Sequence, residues 1–335
     1  MLKDKIFKNL NIIRIAVGLI WVVDGVLQLN PSFFTAAFIH NEIQPASVGS
    51  PALLRSLVHV LSSLFLINPG LFNGIIAAVQ IVIGLAIIVK ASSKWGLASS
   101  IVWGSFVWLV GESAGGLFMP GNSLFMGFPG AALLYVVIAA ALLYYYSSRK
   151  DAAFNILVVA WLVIWIAGMF YQLTPGASTR SIQHISHSNI ALAPEWLKPL
   201  DKSSAVFLSA IDKRQPVKSV TSMSMNGASM SMAQSSVSSS GSAYAMVLIL
   251  AIADLVIAIS VLLKGWPRRA GIILGMLFSL LFWSILQNFG GIFTGPATDP
   301  NSGILLFILG LSLLLFGDYN KHLKKMLAKL RNIVV

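Results

Sequence analysis

Cysteine is absent from all 335 residues. That excludes disulfides, thiolate metal sites, CxxC redox motifs and cysteine-ligated iron–sulfur clusters. Charge is scarce: Asp, Glu, Lys and Arg make up 10% of the chain, against about one quarter in ordinary soluble domains. No strand-like alternation of apolar and polar residues is found. Walker A, strand-linked GxGxxG, GxSxG, HExxH and EF-hand patterns are missing as well. These absences exclude a disordered chain and a conventional soluble hydrolase or nucleotide enzyme.

What is present is apolar. Hydrophobic residues are 57% of the chain, and mean hydropathy is +0.83. Roughly 20 apolar residues cross a bilayer. Runs of suitable length fall near 12–29, 70–89, 96–118, 129–147, 153–173, 243–263, 270–292 and 303–317. Residues 51–66 are amphipathic and suit a short helix at the membrane interface. The charged opening, MLKDKIFKNLNIIR, resembles the start of a signal peptide. No small-residue cleavage site follows, so a retained first helix is expected.

The net charge of +12 is organised by topology, and nucleic acid is not expected as a partner. Lys3, Lys5, Lys8 and Arg14 precede the first run. Lys90 and Lys94, Arg149 and Lys150, and Lys264, Arg268 and Arg269 fill alternate short loops. Five more lie between Lys321 and Arg331, giving sixteen of the 23 basic residues on one side. By the positive-inside rule that side is the cytoplasm. The expectation is a multi-pass plasma-membrane protein with both termini inside.

The two halves of the chain read alike. Ile20-Trp21 through Gln28-Leu29-Asn30-Pro31 aligns with Ile164-Trp165 through Gln172-Leu173-Thr174-Pro175. AAVQIVIGLAIIVK aligns with AIADLVIAISVLLK, setting Gln80 against Asp254. WLVGESAGGLF aligns with WSILQNFGGIF, setting Glu112 against Gln287 and pairing two Gly-Gly steps. The last two pairs are separated by 174 and 175 positions. The expected fold class is therefore an all-α membrane protein of about eight transmembrane helices, arranged as two parallel four-helix repeats. The first repeat is 1–150. The second is 151–320 and contains a long outer loop, 174–241. A basic cytoplasmic tail, 321–335, follows and suits the anionic inner leaflet.

An ionisable group within a bilayer costs roughly 2.5–3.5 kcal/mol on insertion scales. Asp24, Glu112 and Asp254 are therefore candidates for chemistry, and Gln28, Gln80 and Gln287 could share a quinone or substrate pocket with them. The competing reading is that these groups only hydrogen-bond between helices. The repeated W-x3-[EQ]-x2-GG-[LI]-F motif ends a helix at the outer face in either case. Two such ends could also frame an outward-facing cavity.

The outer loop changes character midway. Its first part has Trp, Phe and Leu enough to pack on the membrane domain; its second is low-complexity Ser/Met sequence. Met223, Met225, Met230 and Met232 form an MxM-x4-MxM pattern of soft ligands suited to Cu(I). His184 and His187 could join them, as could His40. The alternative is a Ser/Met spacer beside unrelated histidines.

The opening RIAVGLIWVVDGVLQLNP resembles the first helix of the DoxX/DoxD-like family, at Arg14, Gly18, Trp21, Gly25 and Gln28-Leu29. The likeness covers about 12–147 best, the second half being a diverged copy. It implies a four-helix membrane unit and a subunit of a quinone-linked redox system, similar to thiosulfate:quinone oxidoreductase, alongside other membrane redox subunits. Two further readings stand beside it: copper handling at the outer face, and a non-catalytic accessory subunit. Lipid is the partner common to all three.

Overall fold

A computed structural model describes residues 2–119, 122–174, 194–199, 202, 241–293, 295 and 297–317. The described residues are helical throughout, without a strand. Nine long helices occur among them: α1 (Leu2–Leu27), α2 (Ala52–Ile67), α3 (Pro69–Ile88), α4 (Ser93–Val110), α5 (Ala131–Tyr146), α6 (Lys150–Leu173), α7 (Gly241–Ser260), α8 (Trp266–Leu281) and α9 (Ser302–Gly317). Each expected apolar run lies on one of them. Four segments are long and apolar enough to cross a membrane: Leu10–Leu27, Pro69–Ile88, Lys150–Leu173 and Trp266–Leu286. The amphipathic stretch expected at the interface forms α2.

Two expected runs are broken where their motif begins. The third is expected over 96–118, but α4 stops at Val110. The seventh is expected over 270–292, but α8 passes into a π-helical turn at Phe282–Leu286 and a short 3-10 turn at Asn288–Gly291. The cause is the backbone after Glu112 and Gln287. Ser113, Ala114, Gly115 and Gly116 all have positive φ, and so do Asn288, Phe289, Gly290 and Gly291. Four successive left-handed residues cannot continue a right-handed helix.

The first-helix signature acts through packing. Gly18 and Gly84 let α1 and α3 cross closely: a Cβ on Gly18 would lie 2.9 Å from the Gly84 carbonyl oxygen. A Cβ on Gly25 would lie 2.8 Å from the Ala77 carbonyl. Small residues at such spacing are the usual way for helices to approach where no hydrophobic effect drives them together. Arg14 donates to the carbonyls of Ile87 and Ile88 at the C-terminal end of α3, a favourable place for a cation. The Trp21 indole donates to Ser100 at 2.9 Å. Gln28 donates to Asn73 at 2.5 Å, and Asn73 donates back to the Gln28 carbonyl at 2.8 Å.

One large core joins both halves, centred on Trp21, Tyr135, Trp161 and Trp165 with α5 and α9 between them. A smaller cluster of Phe33, Phe38, Ile39 and Phe65 lies under the short helical turns spanning residues 31–46. From the segment between α6 and α7, Trp196 rests on Phe293 at 5.2 Å and Phe289 at 6.3 Å. The Phe33–Phe65 cluster and the broken end of α4 bound the space described next.

Candidate functional site

A cavity of about 520 Å³ opens at the end of the bundle where α1 finishes and α5 begins. That is the size of a small-molecule site. Its walls are mostly apolar, and Phe38, Phe65 and Phe72 roof it. Trp21 and Trp103 form part of the wall. Among the described residues, no Lys, Arg or His lines it.

The polar groups of the wall come from seven places. α1 contributes Asp24, and Gln28 follows one turn on, just past the helix end. Gln80 enters from α3 and Ser62 from α2. Glu112 comes from the broken end of α4, beside Tyr135 on α5. Thr298 and Asp299 arrive from the turn before α9, and Glu42 from the turns beneath the roof.

Two of these groups, Asp24 and Glu112, have one carboxyl oxygen engaged and one free. Tyr135 donates to Asp24 Oδ2 at 2.5 Å, while Asp24 Oδ1 has no hydrogen-bond partner. Glu112 Oε1 accepts the N–H of Ala132 at 3.0 Å, in the first turn of α5, where partial positive charge favours a carboxylate. Glu112 Oε2 has no partner. Gln80 Oε1, Ser62 Oγ and Trp103 Nε1 are likewise buried and unpaired. Buried polar groups in folded proteins are nearly always satisfied. Five unpaired atoms on the wall of one cavity therefore mark a place built for something to bind.

Glu112 and Asp299 stand outside the spanning helices. Burial pushes the Glu112 carboxyl up to about 8; the Asp299 carboxyl nearby adds to the rise, and the Ala132 N–H works against it. Burial also raises Asp299, against the hydrogen bonds it accepts from the Asn301 N–H at 2.7 Å and the Thr298 hydroxyl at 3.1 Å. Near neutral pH Glu112 can hold a proton and donate it.

The second copy of the motif repeats the local construction. Trp108 donates to the Pro129 carbonyl at 2.9 Å, and Trp283 donates to the Pro300 carbonyl at 2.7 Å. Gln287 Oε1 accepts the Gly303 N–H at 3.0 Å, as Glu112 accepts that of Ala132. A Cβ on Gly115 would fall 1.8 Å from the Pro129 oxygen, and one on Gly290 would fall 2.3 Å from the Pro300 oxygen. Only glycine fits either place.

Of the residues singled out from sequence, Asp24, Gln28, Gln80 and Glu112 line this one cavity. Asp254 and Gln287 do not. Asp254 is buried between α6 and α7, where Gln172 donates to its Oδ2 at 2.5 Å. Gln287 donates to the Leu124 carbonyl at 2.9 Å and to Ser302 Oγ at 3.3 Å. Met223, Met225, Met230, Met232, His184 and His187 lie outside the described residues. His40 is exposed and bonded to Gln44 at 3.1 Å. Asp299 carried no sequence signal of its own, because TDPNSG reads as a turn and Asp299 does accept the turn N–H of Asn301.

No family model matches the chain, and neither does any curated protein or solved structure.

Proposed function

We propose that this protein is a DoxX/DoxD-like subunit of a quinone-linked redox system in the plasma membrane, and that the cavity is its quinone site. The observation that carries the reading is the wall: apolar over most of its area, with the unpaired atoms of Asp24, Gln80 and Glu112 facing the same space. A quinone headgroup needs that combination. Its ring and tail are apolar, and its two oxygens need donors when oxidised and acceptors when reduced.

In this reading the chain crosses the bilayer eight times as two parallel four-helix repeats. Both termini are cytoplasmic and the cavity lies at the outer leaflet. The same-sided loops of Lys and Arg support the orientation. The matched geometry of the Trp108–Pro129 and Trp283–Pro300 turns supports the duplication.

Quinone reduction takes up two electrons and two protons. Asp24 and Glu112 are the groups placed to carry the protons to the two oxygens, and Gln80 orients the ring. The electrons come from a partner subunit or soluble donor. Thiosulfate is a dianion, and a largely apolar wall without a Lys, Arg or His among its described residues offers it no counter-charge. Thiosulfate as donor is therefore oxidised elsewhere in the system, while the neutral quinone enters from lipid.

Trp21 and Trp103 report on the site. A short-chain quinone should quench part of the tryptophan emission of the gently solubilised protein, saturably. Gln80→Leu should weaken that binding by about tenfold, as expected where a polar contact is lost. Emission that no quinone changes, in folded protein, contradicts the assignment.

A further inference from the structure

The two halves treat equivalent space in opposite ways. In the pairing of the repeats, Asp24 corresponds to Gly168, Gln28 to Gln172, Gln80 to Asp254 and Glu112 to Gln287. In the first half those positions surround an open cavity. In the second, Leu124 and Phe125 fill the corresponding place, and both come from the outer turn of the first half. Leu124 is fully buried. A Cβ on Gly168 would lie 2.4 Å from Leu124 Cδ1. The Leu124 carbonyl accepts from Gln287, and the Phe125 ring packs on Phe282 at 5.0 Å.

The outer turn of the second half crosses the other way. Asn30, at the outer end of α1, donates to the Gly295 carbonyl at 2.5 Å, and Thr298 and Asp299 reach the first-half cavity. Between the Gly-Gly step and the proline whose carbonyl accepts the tryptophan N–H, the first turn runs over 117–128 and the second only over 292–299. The longer turn supplies an apolar wedge, and the shorter one supplies a carboxyl and leaves room.

On α6 and α7, Asp254 Oδ1 and Gln172 Oε1 are buried with no hydrogen-bond partner, Gln172 one turn on from the Gly168 that Leu124 meets. These are the counterparts of Gln80 and Gln28, and they are what a site looks like when it has lost its ligand and been covered. We infer that Leu124 and Phe125 plug a twin of the cavity in the second half, and that Asp299 occupies the reciprocal place in the first, where it contacts the ligand. Each half thus completes the other, and one ligand binds per chain. Only the identity of that ligand rests on the quinone reading.

The absence of cysteine makes the test direct, since one introduced thiol has no background. Single-cysteine variants of the full-length protein would be exposed to a small water-soluble maleimide. Gln80→Cys and Asp299→Cys should react, and Asp254→Cys should react about 100-fold more slowly, through local opening only. Adding Leu124→Ala should speed Asp254→Cys by about tenfold or more and leave Gln80→Cys unchanged. If Leu124→Ala disturbs Gln80→Cys, the fold has been damaged, and Phe125→Ala replaces it in the same comparison. Asp254→Cys as fast as Gln80→Cys without the second change, or indifferent to it in folded protein, overturns the plug.

A short-chain quinone separates the two ideas. Because Gln80→Cys also lacks the amide, the quinone is offered to it at about tenfold the level that saturates the native protein, and protection of both Gln80→Cys and Asp299→Cys is then expected. Protection of Gln80→Cys alone removes Asp299 from the site. Protection of neither defeats the quinone reading, while the labelling rates still decide the plug.

Discussion

The Tyr135 hydroxyl donates to the Asp24 carboxyl at 2.5 Å, joining α5 to α1 inside the bundle and leaving the other carboxyl oxygen turned to the cavity. Trp21 stacks on the same tyrosine, with ring centroids 4.2 Å apart. Asp24 is thus held from one side and free on the other, the arrangement of a group that has both a position to keep and a ligand to meet.

Asp24→Asn preserves the size of the side chain and an oxygen for Tyr135, so it should fold. It cannot give up a proton. Quinone-linked turnover should fall by about 10²–10⁴, the usual worth of a positioned acid or base. Asp24→Ala should instead lose stability, by about 1–3 kcal/mol, because the buried Tyr135 hydroxyl is orphaned. Turnover assays beside thermal denaturation distinguish the two effects. Full activity in Asp24→Asn would remove it from the site.

Glu112 makes stability depend on pH. Its carboxyl sits near 8 when folded, above the ordinary 4.5. The folded state therefore holds a proton that the unfolded state releases. The stabilisation is complete below about 4.5 and is lost as pH rises through about 8. Asp299, also raised by burial, contributes with the same sign. Thermal midpoints should fall as pH rises across that window, and Glu112→Gln should flatten the dependence. Unchanged slopes in the Gln variant would place the titration elsewhere.

Trp21 and Trp165 align when the two halves of the sequence are compared, but of the two only Trp21 has a partner for its indole N–H. Ser100 accepts it, and the matching position in α8 is Gly275; Trp165 Nε1 is buried and unpaired. Ser100→Ala should destabilise by about 1–3 kcal/mol by orphaning Trp21. Gly275 has no side chain to match, and a Cβ there would strike the Trp161 ring at 2.4 Å. Gly275→Ser should therefore destabilise rather than rescue the Trp165 N–H. Denaturation midpoints of the two variants check both halves of the argument.

Much of the fold was legible in the sequence because the constraint is simple. A chain in lipid must satisfy its backbone internally, and apolar runs of the right length therefore become helices. The runs at 70–89 and 153–173 lie on α3 and α6. What periodicity could not show is where a helix breaks within an apolar run. Ser113 and Phe289 give no warning of a left-handed conformation, and only the glycine pairs beside them do.

The polar positions were visible for the same reason, since a carboxyl or amide in an apolar run stands out. Their grouping was not. Asp254 and Gln287 align in sequence with Gln80 and Glu112, yet neither lines the cavity: Asp254 is engaged by Gln172, and Gln287 by the Leu124 carbonyl. Asp299 was hidden in turn chemistry. Which loop crosses to which half is a tertiary fact, set by the length of two turns and by the shape each must fill.

The measurement that bears most directly on the account is the quinone content of the intact protein after gentle solubilisation from its own membrane, with reduction by thiosulfate or a surrogate donor assayed on the same sample and its partners retained. The account predicts one quinone per chain, donor-dependent reduction, and loss of the bound quinone in Gln80→Leu protein that still folds. Folded protein that carries no quinone, takes up none when it is offered and supports no reduction would contradict it.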